Sequence, residues 1–190
     1  MRRNPERLAW TVLLTALLMC VGLTIAIPLG IRSFINDTTD VAAITLEVQQ
    51  GTVLVSRAGL DEPIGVTTGL ANIPEGSAIR ADSNVQALLT IRAAGDQTTL
   101  LTVQIYGSTN LKINRARSPR FAPSGLPHQV ELKVDGGRVR LSVAGGLDRS
   151  IECQLVMPQA TAQLQDGTYA FDVSNDEAQV TVREGAANVS

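Results

Sequence analysis

Aromatic side chains make up only 3% of this chain, and histidine occurs once, at His128. Zinc is held by three or four clustered ligands. One histidine and two distant cysteines, Cys20 and Cys153, offer no such cluster. No metal and no other cofactor is expected. No Gly-x-Ser-x-Gly elbow accompanies His128, and a lone histidine in SGLPHQV reads as a strand-end residue. The acids Asp61-Glu62, Asp82 and Asp176-Glu177 fall in turn-like contexts. A glycosidase needs two carboxylates across a cleft, which their spacing does not show. No glycine-rich phosphate loop leads into a soluble helix. The chain does not read as an enzyme, and the scarcity of stacking aromatics argues against nucleic acid as a partner.

What is abundant is hydrophobicity, at 44%, and part of it is concentrated. Leu8 to Ile31 reads LAWTVLLTALLMCVGLTIAIPLGI, 24 residues without a charge. As a helix this spans ~36 Å, enough for a ~30 Å hydrocarbon core. Trp10 suits one interface and Pro28 lies near the other end. A cleaved signal peptide carries a shorter apolar stretch. Thr24-Ile25-Ala26 is a poor cleavage site, and Met19 stands where a lipoprotein site before Cys20 wants a small residue. Arg2, Arg3 and Arg7 against Glu6 on the short side place the N-terminus in the cytoplasm by the positive-inside rule. The expected organisation is a cytoplasmic stub over 1–7, a transmembrane helix over 8–31, a polar tether over 32–43 and a β domain over 44–190. Without Arg2, Arg3, Arg7 and Glu6, 13 basic and 17 acidic side chains remain, a mildly acidic exterior.

Beyond the tether the text is β. ITLEV, GTVLV, QALLTIRA, TTLLTVQIY and NLKI alternate, punctuated by Asp61-Glu62-Pro63, Pro74-Glu75-Gly76 and Ala94-Gly95-Asp96. Two hairpins can be registered. A two-residue Gly136-Gly137 turn in VELKVDGGRVRLSV would set Val134 opposite Val139, Leu132 opposite Leu141 and Val130 opposite Val143. A turn at Asn175-Asp176 would set Phe171 opposite Val180, Tyr169 opposite Val182 and Val173 opposite Ala178. Each register gathers its apolar side chains on one face. A domain of ~150 residues buries a self-sufficient core without disulfides. Cys153, alone in SIECQLV, reads as a buried small apolar residue.

These motifs resemble the FecR-type domain family over about residues 47–190. The resemblance rests on GTV at Gly51, PEGSAIR carrying Gly76, Ile79 and Arg80, and LTI closing a strand. It continues in GTYAFDV with Gly167, Thr168, Phe171 and Val173, and in VTVREG with Val180, Val182, Glu184 and Gly185. Asp166, Ser77 and Ala81 stand where the family favours Arg, Asp and Thr. The resemblance implies an all-β extracytoplasmic domain, a compact sandwich or a solenoid-like form, anchored in a bacterial cell membrane. Some members regulate sigma factors through a cytoplasmic domain; a stub of seven residues carries no such activity over.

One charge imbalance stands out. No acid occurs between Asp96 and Glu131, while Lys112, Arg115, Arg117 and Arg120 crowd into KINRARSPRFAPSGLP. With Pro119, Pro123, Gly125 and Pro127 this reads as a loop joining two halves of the domain, and as a candidate docking site for an anionic partner. The expected function is a protein-interaction, sensor or adaptor module of the envelope, with another envelope protein as partner. The alternative is a binding domain for an envelope polysaccharide or other anionic polymer, which usually shows more aromatic platforms.

Overall fold

The computed structural model describes residues 5–60, 62–95, 98–174 and 176–190, the side chains of 5–8 excepted. Asp61, Asp96 and Asn175, each expected in a turn, and Arg2 and Arg3, which orient the chain above, lie outside the described residues.

The apolar run forms one helix, α1, Pro5–Asp37. Thr15 donates to the Thr11 carbonyl at 2.7 Å and Thr24 to the Val21 carbonyl at 3.2 Å. These hydroxyls are therefore satisfied without water. The helix is long and apolar enough to cross a membrane, and none of that stretch is buried against the rest of the protein. It does not break at Pro28 but runs on to Asp37. The polar tether expected over 32–43 is thereby corrected: it is helix, then strand, because tertiary partners order it.

Among the described residues fifteen strands follow: β1 Thr39–Val41, β2 Ala43–Gln50, β3 Val53–Ser56, β4 Ile64–Val66, β5 Gly69–Ala71, β6 Ala78–Ala81, β7 Gln86–Arg92, β8 Thr99–Ile105, β9 Asn110–Pro119, β10 His128–Val143, β11 Ile151–Val156, β12 Thr161–Leu164, β13 Gly167–Val173, β14 Ala178–Glu184 and β15 Ala187–Val189. All belong to one hydrogen-bonded network, near-closed and barrel-like. The all-β expectation holds, but the sheet is near-closed and barrel-like, where the expected form is a sandwich or a solenoid-like one. β1, the former tether, pairs antiparallel with β9 from Thr39↔Pro119 to Val41↔Arg117.

β10 is the spine. Its first half lies between antiparallel β9 and parallel β11; its second half lies between antiparallel β8 and β13. Two leaves therefore share one strand: β4-β3-β6-β9-β10-β11-β12-β15 and β5-β2-β7-β8-β10-β13-β14. Gly136-Gly137 is not a hairpin turn. Val130, Leu132 and Val134 do point inward with Val139, Leu141 and Val143, but as successive parts of one bent strand. Chain length requires the bend. His128 pairs with Ile151, so the link from Val143 to Ile151 must return to the start of β10. Eight residues reach at most ~29 Å, whereas a straight β10 would be ~50 Å long. The strand folds over at Gly137, whose φ is +96°, beside a register shift between Val134 and Gly136. Thr109 secures the corner, accepting from the Arg138 N–H at 3.1 Å and donating to the Arg138 carbonyl at 3.0 Å.

The inward faces of both leaves merge into one core. Tyr169 and Phe171 lie at its centre, fully buried, with ring centroids 6.5 Å apart. Each large apolar side chain so buried stabilises the fold by ~1.5–3 kcal/mol. The C-terminal hairpin has the expected register: Tyr169↔Val182, Phe171↔Val180 and Val173↔Ala178. Only its β13 side is buried, however; Val182 on β14 is 45% exposed.

Candidate functional site

The basic segment is a strand, not a loop, as far as Pro119. Its alternation is hidden by a bulge. Leu111 and Ile113 point inward, then Ala116 and Ser118, and the register slips between Glu131↔Arg115 and Leu132↔Ile113. The extra residue, Asn114, donates from Nδ2 to Glu131 Oε1 at 2.9 Å. An odd-to-even change of face is what one inserted residue produces, and together with the charges and Pro119 it makes a strand read as a connector.

Lys112, Arg115 and Arg117 are exposed on the outer face of β9, with Arg120 just beyond its end. From Lys112 to Arg120 this is a strip ~26 Å long, not a cluster. Two members are engaged. Arg117 makes an ion pair with Glu75 at 3.1 Å, and the hydrogen bond it donates to that carboxylate, then the carboxylate's charge, raises the guanidinium pKa further. Glu75 also accepts the Ala116 N–H at 2.8 Å, so it closes the bulge as well as the charge. Arg120 lies 3.8 Å from Asp40 on β1. Arg115 reaches Gln129 at 3.5 Å, and Lys112 lies beside Lys133 in the β9–β10 register.

His128 is the first residue of β10, as its strand-end reading expects, and its Nδ1 is 3.0 Å from the Ser118 hydroxyl. Cys153 is buried, and burial pushes its thiol up to about 12, so the sulfur is protonated and shielded. No group of three or more His, Cys, Asp and Glu side chains among the described residues is placed to hold a metal.

The residues carrying the family resemblance are spread through both leaves. Gly51 and Gly76 take positive φ in turns; Ile79, Phe171 and Val173 are in the core; Arg80 faces out across from Leu54. Thr168 and Val180 are half-buried, and Glu184 is exposed. Gly167 and Gly185 meet back to back. A side chain on Gly167 would run into the Glu184 carbonyl, and one on Gly185 into the Asp166 carbonyl and the Tyr169 hydroxyl. Gly167, Thr168, Glu184 and Gly185 line one open hollow of about 330 Å³ with Ser142 and Asp166; the other positions are dispersed and shape the scaffold.

Two outer features are invisible in the sequence. One is the β14 edge: among the described residues β14 pairs with β13 alone, so one side of its backbone presents donors and acceptors outward. The other is a groove of about 470 Å³ over β11, β12 and β15. There Gln154, Gln163 and Asn188 stand in one cross-strand row. Neither feature has a local signature, because each is made by which strands become neighbours. No family model, curated protein or solved structure matches the chain.

Proposed function

We propose that this chain is a single-pass, membrane-anchored module of the bacterial envelope. In this reading its FecR-like β domain is extracytoplasmic and binds another envelope protein as a sensor or adaptor, by recognition and not by catalysis. The observation that carries the proposal is the combination of an unburied apolar helix with an open β14 edge. Helix α1 leaves Trp10, Leu13, Leu17, Ile25 and Leu29 uncovered, a surface suited to lipid. Further along the chain, Gln179, Thr181, Val182 and Arg183 are exposed on a strand whose outer edge has no partner strand among the described residues. Such an edge accepts a partner strand through main-chain hydrogen bonds, with alternate side chains setting specificity.

A photo-reactive side chain at Thr181 should give one discrete covalent adduct in cells carrying the full chain. Val182→Lys should abolish it, since an edge lysine discourages strand pairing. The same reporter at Gln104, exposed in the middle of the same leaf, should give none. An adduct at Gln104 but not at Thr181, or one indifferent to Val182→Lys, would overturn the proposal.

A second reading, binding of a polar envelope polymer, is favoured by the carboxamide row. Gln154, Gln163 and Asn188 each offer both donors and an acceptor, and strand spacing repeats them every ~4.8 Å along the groove.

A further inference from the structure

The end of α1 does not stand clear of the β domain. Pro28, Ile31, Arg32, Ile35 and Asn36 share a hollow with Pro123 and Gly125, from the loop after β9. Phe34 packs on Phe121 with ring centroids 6.0 Å apart, and the Ser124 hydroxyl donates to the Asn36 carbonyl at 3.2 Å. The loop is also held from behind. Arg149 donates to the carbonyls of Ala122 at 2.7 Å, Ser124 at 2.9 Å and Leu126 at 3.3 Å. It is thus a fixed prong lying along the helix.

Its depth follows from the helix. Pro28 and Ile31 belong to the uncharged run, and Arg32 is the first charge after it. From Pro28 to Asn36 the helix rises ~12 Å, more than the ~5–7 Å of headgroup on one side of a bilayer. A loop that bonds Asn36 and lines a hollow extending to Pro28 lies at the level where the run enters lipid. Its composition agrees: Phe121 to Pro127 reads FAPSGLP, with no charge. Ala122, Pro123 and Gly125 are exposed, as is most of Phe34, at 61%. Arg32 on the helix and Arg120 at the loop's entry are cations placed for lipid phosphates, and Arg120 lies 5.8 Å from the Phe121 ring centroid.

We infer that the Phe121–Leu126 loop is a second membrane contact. It inserts into the interfacial layer of the bilayer beside α1 and so fixes the tilt of the β domain on the membrane. This rests on the reading of α1 as a membrane span. With a single span the domain would swivel about the chain axis; a second contact, clamped by Arg149, leaves one orientation and presents the β14 edge in a defined direction.

Trp10 is the only tryptophan in the chain, which makes the test direct. The full chain is reconstituted in vesicles of phosphatidylcholine and phosphatidylglycerol, with bromine at shallow or deep acyl positions. Native Trp10 reports on the helix. Phe121→Trp and, separately, Pro123→Trp, each in a Trp10→Phe background, report on the loop. Both loop reporters should be quenched most by the shallow bromines, at a depth of ~5–10 Å, with blue-shifted emission and little quenching by aqueous iodide. Pro123 is exposed at the tip, so that reporter does not depend on repacking the Phe34 contact. Iodide-quenched, red-shifted emission from both loop reporters, with Trp10 still quenched by bromine, would overturn the inference and leave the span intact. Trp10 unquenched by any brominated lipid would overturn both.

Discussion

Gly136→Ala and Gly137→Ala, made separately, should have opposite consequences. At Gly137 the backbone φ is +96°, a conformation that costs a side-chain-bearing residue ~1–2 kcal/mol. An added Cβ there would lie 2.5 Å from Thr109 Cα and 2.6 Å from the Ser108 carbonyl oxygen. Neither is the flexible end of a side chain, so the corner itself must shift, at the ~1–3 kcal/mol typical of overpacking. Together Gly137→Ala should cost about 2–5 kcal/mol. At Gly136 the nearest atom to an added Cβ is the Val173 carbonyl oxygen at 3.8 Å. Alanine there removes only unfolded-state freedom and should be neutral or stabilise by ~0.5–1 kcal/mol. The measurement is urea unfolding of the full chain in detergent, followed by the far-ultraviolet circular dichroism of its strands. A two-residue hairpin turn would require positive φ at Gly136, and in type I′ at Gly137 as well, so it would penalise Gly136→Ala. Equal losses at the two positions, or a tolerated Gly137→Ala, would refute the continuous bent strand.

Two further outcomes follow from the core. Burial moves the Cys153 thiol from its ordinary 9.0 to about 12, so the folded chain keeps a proton that the unfolded chain releases. That contribution to stability is complete below pH 9.0 and declines as pH rises toward about 12. Tyr169, raised chiefly by burial, acts in the same direction. Cys153→Ala should flatten part of the alkaline decline in urea midpoint, and an unchanged slope would contradict the assignment. The Tyr169 hydroxyl donates to the carbonyls of Ala186 at 2.8 Å and Gln165 at 3.2 Å. Tyr169→Phe should therefore cost ~1–3 kcal/mol and speed amide exchange in β15 more than in β10. Uniform exchange rates across the domain would count against this local tie.

Periodicity and length carried most of the elements. Alternation over QALLTIR and GTYAFDV is enough to make strands and to say which side chains go inward, because only two faces exist. The C-terminal register was also local: Ser174 and Glu177 close their turn at 2.8 Å, and a tight turn leaves one pairing that buries Tyr169 and Phe171. The uncharged 24-residue run fixed a helix without help from the rest of the chain.

What the sequence left open are the places where its parity slips. Between Val134 and Val139, and again between Ile113 and Ala116, the inward set changes from even to odd or from odd to even. Either a turn or a bulge inserts the residue that such a change needs. Local pattern does not choose between them, since both keep every apolar side chain inward. The choice belongs to distant partners. Thr109 takes the Arg138 backbone across the corner, Glu75 takes Ala116 and Arg117 from 41 and 42 residues away, and β11 returns beside the start of β10. For the same reason the basic segment read as a free loop: the acids that engage it, Glu75 and Asp40, lie far off in sequence. The segment over 32–43, too, read only as a polar tether, because its order comes from β9 and from the Phe121 loop, contacts that exist only once the sheet has closed.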